Sequence, residues 1–362
     1  MKYNEYRRAT RAVRVGDVLI GGNSPITVQS MTNTDPHDTR ATIDQIIALA
    51  DAGCDIVRLS IPDSESAAAI TEAKAQGVRI PLVADIHYSY KVAIAAVEAG
   101  ADKIRINPGN IGSATGVSEI VRACRERGIP IRIGVNSGSL DKDILEKYKA
   151  PTAEALAESA IREADMLSEM DFHDIVLSIK SSDPMTMIRA NRLVASRTDY
   201  PLHLGVTEAG AGTQAIIKSS VGVGSLLSEG IGDTLRISLT DDPCREIEAA
   251  ESLLRALELT DKRKMEIISC PTCGRTKIDL ISLHKSFQSA AIDAGIDKND
   301  IKVALMGCGV NGPGEAREAD IGIAGGSGEA LLFKRGEIIC KIPESQIIPR
   351  LIDEIRAMQK NG

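Results

Sequence analysis

The hydrophobic pattern of the first 260 residues repeats one arrangement, a short β-rich run followed by a longer stretch of helical periodicity. Runs of Ile, Val and Leu begin near Ile26, Asp55, Pro81, Lys103, Pro130, Asp174, Leu202 and Thr234. Between them lie segments rich in Ala, Glu and Ile, such as Thr39 to Gly53, Ser64 to Gly77, Lys91 to Gly100 and Pro151 to Met170. Several close on Gly, the residue that stops a helix by adopting a left-handed conformation. Successive runs start 22 to 44 residues apart, and a βα unit takes roughly 30 residues, so that eight make a chain of ~250. The pattern predicts an α/β fold, a (β/α)8 TIM barrel over residues 1–260, with an open doubly wound sheet as the alternative. Ahead of the first run, Ala12 to Asn23 alternates like a hairpin placed to plug the barrel floor.

The rhythm changes over residues 261–362. A strand from Glu266 to Ser269, a CPTC turn, a helix from Lys277 to Ala294 and a strand from Lys302 to Met306 are followed by a Gly-rich loop. Strands near Asp320, Leu331 and Glu337 and a helix from Glu344 to Met358 complete a small α+β domain.

Within a strand, side chains alternate between faces. In five of the runs the apolar face is opposed by a polar one: Arg58 with Ser60, Arg105 with Asn107, Arg132 with Asn136, Ser178 with Lys180, and Arg236 with Ser238. The apolar set belongs against the helices, so the polar set points into the barrel, where aliphatic residues are usual. Five cations near the C-terminal ends of five strands face two local acids, Asp85 and Glu208. Ion pairing within the barrel, or a reversed choice of face, are the alternatives to a ligand. Two acids cannot neutralise five cations, and an unpaired buried charge is costly, so the excess reads as a site for a polyanion. Arginine favours bidentate phosphate contacts, and barrel active sites occupy this end. His87, at the end of the third run, suits phosphate contact or proton transfer. Glu208, just past the seventh, is placed to donate a proton. His203 reads as core or as support behind the site.

Composition narrows the setting. Hydrophobic residues make up 43% of the chain, with no Trp and three Phe, so aliphatic layers must fill the core. A net charge of −7 argues against a nucleic-acid partner. No segment reaches the ~20 apolar residues of a membrane span, and the polar start MKYNEYRRAT lacks a signal peptide's apolar core. Seven cysteines with one closely spaced pair do not form a secreted disulfide framework, and point to a reducing cytoplasm.

That pair, Cys270 and Cys273, sits in a turn after a strand, where both thiolates reach one metal centre. Cys308 follows within MGCGVNGPGEA, whose glycines indicate a backbone wrapped closely around something. Structural zinc usually has a closed set of four ligands, often two CxxC pairs, and the second pair is missing here. Three cysteines with one weaker ligand fit a [4Fe–4S] cluster with an open iron, and Glu315 is the nearest carboxylate. Spacing alone leaves zinc and cluster evenly matched. Cys54, Cys124, Cys244 and Cys340 read as buried core thiols.

The segments CPTCGR and MGCGVNGPGEA, with SMTNTD, ADIHY, KIRINPGN, RIGVNSGSL and SIKSSD, closely resemble the 4-hydroxy-3-methylbut-2-enyl diphosphate synthase family. The resemblance runs from about Arg11 to Lys360, with one departure at TDPHDT (Thr34 to Thr39), where the family pattern often reads TDT. It implies reductive dehydroxylation and ring opening of 2-C-methyl-D-erythritol 2,4-cyclodiphosphate, supplied with electrons by ferredoxin or flavodoxin. It implies a [4Fe–4S] cluster on Cys270, Cys273, Cys308 and Glu315, a barrel like that of pterin-binding enzymes, and a second domain like a sulfite or nitrite reductase module. With no room for the extra domain of plant-type members, the chain is similar to the two-domain bacterial form. The diphosphate contacts implied are Arg58, His87, Arg105, Arg132, Lys180, Arg236 and Ser238, with Asp85 among the substrate-binding residues. Asn107 and Asn136 are the implied polar contacts, and Glu208 the acid near the carbon chain. Barrel helices run from mouth to floor, so the eighth ends at the floor, and Glu258 to Met265 spans at most ~27 Å. This geometry predicts a head-to-tail homodimer in which each cluster domain caps the partner's barrel. A dihydropteroate-synthase-like transferase with a zinc appendage, and a non-enzymatic zinc-ribbon module on a barrel, are the rival functions.

Overall fold

The structure, a computed structural model, describes residues 5–138, 140–262, 264–309, 314 and 316–360. The chain divides into two compact units, Met1–Thr260 and Asp261–Gly362.

In the first unit a hairpin, β1 (Ala12–Val15) and β2 (Val18–Gly21), precedes eight parallel strands. These are β3 (Thr27–Met31), β4 (Ile56–Ser60), β5 (Leu82–Asp85), β6 (Lys103–Ile106), β7 (Ile131–Asn136), β8 (Ile175–Lys180), β9 (His203–Leu204) and β10 (Thr234–Leu235). β3 pairs with both β4 and β10, and a bridge from Leu177 to Leu202 joins β8 to the ninth-strand segment, closing the barrel. The (β/α)8 expectation therefore holds, and the open sheet does not. Helices α1 (Thr39–Asp51), α2 (Ala68–Ala75), α3 (Tyr90–Glu98), α4 (Ala114–Arg127), α5 (Lys142–Tyr148), α6 (Ala153–Glu169), α7 (Pro184–Ala195), α8 (Gly212–Ser228) and α9 (Pro243–Ala256) cover the outside. The short α5 takes up part of the longest spacing, between β7 and β8. β9 and β10 are shorter than the sequence pattern suggests, although Arg236 N still donates to Leu204 O at 2.9 Å beyond the paired residues.

Side chains such as Val57, Leu59, Ile104, Ile106, Ile131 and Ile133 are buried in the large core shared with the helices. The opposite face lines the barrel. At the floor, Ile56 and Val83 pack on Val15 and Ile20, so the hairpin is the plug its alternation suggests. Asp233, at the start of β10, ties the N-terminal segment to the barrel. It accepts from Arg7 Nη2 at 2.8 Å, Thr10 Oγ1 at 3.1 Å and Leu202 N at 2.8 Å.

Above the plug the interior turns polar. Lys103 and His203 are wholly buried, Arg132 is 1% exposed, and Gln29 Oε1 accepts from Arg132 Nη1 at 2.8 Å. Lys103 Nζ, Arg132 Nε, Gln29 Nε2 and His203 Nε2 find no hydrogen-bond partner among the described residues. Burial, then the charges of Arg132 and Arg58, push Lys103 well below the usual lysine range.

The second unit is a five-stranded mixed sheet in the order β11 (Glu266–Ser269), β12 (Lys302–Met306), β13 (Ile321–Gly325), β14 (Glu329–Lys334), β15 (Glu337–Pro343). The first three are parallel and the last two antiparallel. Helices α10 (Leu280–Asp293) and α11 (Ile347–Lys360) supply Phe287, Ile347, Leu351 and Ile355 to its core. α10 begins three residues later than the sequence suggests, because Asp279 caps it by accepting from Ser282 N. Cys54 and Cys124 are buried as expected, whereas Cys244 and Cys340 are only half-buried. No helix among the described residues is long and apolar enough to cross a membrane.

Two stability outcomes follow from these buried charges. Replacing Asp233 by Ala removes the carboxylate from Arg7, and a urea unfolding curve should show a loss of about 3–5 kcal/mol. Lys103→Met should instead stabilise the protein near neutral pH, by about 1–3 kcal/mol, since it removes a buried polar group without a partner. The unfolded chain protonates Lys103 below 10.5 while the folded chain resists it, so folding opposes proton uptake and stability falls as pH drops. The advantage of Lys103→Met should thus shrink as pH rises toward 10.5; an advantage that grows in that direction contradicts the assignment.

Candidate active site

The barrel mouth is organised around Asp85 at the end of β5. Its Oδ1 accepts from Arg105 Nη1 at 3.1 Å, and Oδ2 lies 3.7 Å from Arg58 Nε. Burial alone raises the Asp85 pKa, but Arg58, Arg105 and Arg132 outweigh it and hold the carboxyl at about 2. Arg105 then reaches across β7, where Nη2 donates to Gly134 O at 3.1 Å. A Cβ at residue 134 would lie 2.3 Å from Arg105 Nε, so only glycine lets the guanidinium lie there. With its amide oxygen turned toward Arg105, Asn136 accepts from Nη2 at 3.2 Å.

On the opposite wall, Arg236 follows β10 and forms a two-pronged pair with Glu246 in the first turn of α9. Nε and Nη2 meet the two carboxylate oxygens at 2.9 and 2.8 Å. Between the walls, Met31 Sδ accepts from Arg58 Nη2 at 2.8 Å and Nε at 3.0 Å, and lies 3.5 Å from Arg236 Nη1. Burial lowers the pKa of Arg58 to about 10, with Asp85 opposing and Arg236 and Arg105 adding to the effect. Lys180, at the end of β8, is 8% exposed and shifted well down by burial and by the charges of Arg58, Arg236, Arg132 and Arg105.

The five basic side chains read from the sequence thus share one barrel interior, and Lys103 is a sixth, which burial pushes toward its neutral form. Among the described residues the acids paired with them are Asp85 and Glu246, not Asp85 and Glu208. Glu208 is exposed and stands in a left-handed conformation, φ 53°, at the rim. Such a conformation is uncommon outside glycine. His87 is exposed beside Tyr88, ring centroids 5.9 Å apart. Ser238 is half-buried in the loop after β10, and Asn107 is buried beyond β6.

Sequence reading passed over Lys103, Gln29, Met31 and Glu246. Lys103 and Gln29 carry the signal that finds the others, since each lies two residues from a polar or cationic position on the same strand face. Glu246 lies on a helix, where strand alternation gives no hint. Its signal is helical: with Ala250 and Leu254 it shares the buried face of α9.

In the second unit, β11 and β12 are adjacent and parallel, with Ser269 opposite Leu305. The loops carrying Cys270, Cys273 and Cys308 therefore leave the same end of the sheet. Gly307 N donates to Cys270 Sγ at 3.2 Å, and Lys277 N to Gly307 O at 2.8 Å, which binds the two loops together. Cys273 is exposed, and hydrogen bonds from the Arg275 backbone and side chain lower its pKa, favouring thiolate. Cys308 lines a cavity of about 550 Å³ with Gly309, Gly325, Arg275 and Lys277. Glu315, the expected fourth ligand, lies outside the described residues. Among the described residues no three His, Cys, Asp or Glu side chains gather around a single metal ion. An iron–sulfur cube holds its thiolates further apart than one ion does, and a half-buried thiol set beside an open cavity suits a group of that size.

Comparison with known proteins agrees with this division. The sequence profile described as the GcpE TIM-barrel domain matches residues 10–251, and that of the GcpE protein C-terminal domain matches residues 266–357. Among curated relatives, the 4-hydroxy-3-methylbut-2-en-1-yl diphosphate synthase (flavodoxin) of Clostridium tetani is 55% identical over 97% of this chain and 99% of its own. That of Clostridium perfringens is 53% identical over 97% and 99%. Of solved structures, a dihydropteroate synthase from Stenotrophomonas maltophilia superposes with a TM-score of 0.51 at 14% identity, covering 69% of this chain and 98% of that one. That likeness speaks to the barrel fold alone. The chain belongs to the GcpE family, the 4-hydroxy-3-methylbut-2-en-1-yl diphosphate synthases, oxidoreductases of isoprenoid precursor formation.

Proposed function

We propose that this chain performs the family's reductive ring opening by holding the diphosphate of 2-C-methyl-D-erythritol 2,4-cyclodiphosphate among the cations of its barrel mouth. The observation that carries the reading is the imbalance inside the barrel, where the basic side chains Arg58, Arg105, Arg132, Lys180 and Arg236 outnumber the acids Asp85 and Glu246. Overall, a cyclic diphosphate dianion takes up two electrons and one proton and leaves as a linear diphosphate trianion plus water. The bound ligand therefore gains negative charge as it reacts. Fixed cations that stabilise product-like charge more than substrate charge favour that change.

Arg58, Arg105, Arg132, Lys180 and Arg236 bind the phosphates, with Ser238, His87, Asn107 and Asn136 as further polar contacts. Asp85 aligns Arg58 and Arg105. Glu208, on a left-handed backbone at the rim, is the group placed to pass on the proton needed when the hydroxyl departs as water. Cys270, Cys273 and Cys308 are the thiolates that would hold a [4Fe–4S] cluster, with Glu315 as the displaceable fourth ligand. When bound, the cluster supplies the two electrons singly. Those electrons come from flavodoxin, the carrier named for the relatives, or from ferredoxin. The setting is the cytoplasm, where free thiols persist.

Only nine residues separate the end of α9 at Ala256 from the start of β11 at Glu266. A segment that short favours a head-to-tail homodimer in which the cysteine domain of one chain serves the barrel of the other.

Purification without oxygen decides between this reading and its rivals. A brown protein with iron and acid-labile sulfide, turning over the cyclic diphosphate with a chemical reductant, is expected; a colourless zinc protein overturns it and leaves the transferase or zinc-ribbon alternatives. Arg105→Ala should lower kcat/KM about 100-fold or more. Mixing Arg105→Ala with Cys308→Ser subunits should restore about a quarter of wild-type activity, since half the dimers are mixed and each has one intact site. No recovery after subunit exchange would exclude the shared site.

A further inference from the structure

Glu246 lies on a helix and belongs to no strand, yet it is 2% exposed and takes four hydrogen bonds. Arg236 Nε donates to Oε2 at 2.9 Å and Nη2 to Oε1 at 2.8 Å. Ser30 Oγ donates to Oε2 at 2.8 Å, and the backbone N–H of Leu239 to Oε1 at 3.1 Å. These donors come from β3, from the residue after β10, and from the loop that carries Ser238. The carboxylate therefore joins two barrel strands and the rim loop to the first turn of α9, where a helix N-terminus also favours negative charge.

We infer that Glu246 is a positioning residue that fixes the plane of Arg236 and presents its Nη1 to the ligand beside Arg58. The inference rests on the placement of the diphosphate at the barrel mouth proposed above. A two-pronged pairing through Nε and Nη2 uses one edge of the guanidinium and leaves Nη1 directed inward. There its neighbour is Met31 Sδ at 3.5 Å, the same sulfur that takes both donors of Arg58. A thioether is a weak acceptor. Arg58 and Arg236 thus aim at one point whose present occupant holds them loosely, and a phosphate oxygen arriving there replaces a poor acceptor with a charged one.

The sign of one substitution separates positioning from charge. Glu246→Gln removes a negative charge beside the mouth, so electrostatics alone predicts tighter binding of an anion. Positioning predicts weaker binding, because the amide nitrogen repels one prong of Arg236 and the guanidinium turns. Binding of the cyclic diphosphate to anaerobically reconstituted enzyme, read by calorimetry, should weaken about 10–100-fold in Glu246→Gln. Arg236→Ala should weaken it at least as much, and the double variant no further, since the two residues act as one unit. Wild-type or tighter binding by a folded Glu246→Gln, or multiplying effects in the double variant, overturns the role of Glu246. Unchanged binding by Arg236→Ala overturns the placement of the diphosphate, and this inference with it. Should Glu246→Gln fail to fold, the wild-type enzyme still answers. In ¹⁵N-arginine-labelled protein the Nε–H signal assigned through Arg236→Ala should exchange slowly with water, and exchange as fast as that of an exposed arginine refutes the fixed geometry.

Discussion

Positive charge enclosed by a closed barrel is the constraint on which the rest of the first unit depends. Water cannot solvate Arg132, whose charge would cost several kcal/mol if left to itself, and the buried Lys103 is pushed toward its neutral form. The fold answers with specific partners where it can: Asp85 between Arg58 and Arg105, Gln29 on Arg132, Glu246 on Arg236. It stops short of neutrality. A barrel selected only for stability would fill these positions with Val, Ile and Leu, and the remaining charge is what the proposed anion site would require.

Holding those charges in place requires a rigid frame, and several distant features serve it. The hairpin of β1 and β2 seals the floor with Val15 and Ile20 against Ile56 and Val83, which keeps the polar layer from opening to water below. Asp233 anchors Arg7 and Thr10 on the strand that leads to Arg236. Gly134 leaves the space in which Arg105 lies flat over β7. Of these, Gly134 bears directly on where a guanidinium lies, that of Arg105, while the hairpin and Asp233 hold the strands on which the others stand.

Much of this was legible in the chain. The eight runs gave the barrel because hydrophobic alternation records which face meets the helices, and Arg58, Arg105, Arg132, Lys180 and Arg236 stood out as violations of an otherwise aliphatic interior. The pairing of those charges was less legible. Asp85 lies in a strand and obeys the same alternation, but Glu246 lies on a helix whose own period hides its relation to β10. Glu208 was counted as a partner because it follows a strand, whereas a left-handed turn carries it to the rim. Spacing between cysteines showed which thiols could cooperate but not the metal, since CxxC turns serve zinc and iron–sulfur groups alike. Adjacency of β11 and β12, a tertiary fact, brings the Cys308 loop to the CPTC turn.

In the function proposed above, the two units divide the chemistry along lines that their physics makes hard to combine. Thiolates proposed to hold a reducing centre are served by a half-open site with backbone N–H groups nearby, such as surrounds Cys270 and Cys273. A diphosphate needs a deep, dry pocket of fixed cations, in which bare thiolates would be drawn into ion pairs. Placing the thiolates on the edge of one sheet and the cations within a closed barrel lets each environment be tuned without spoiling the other.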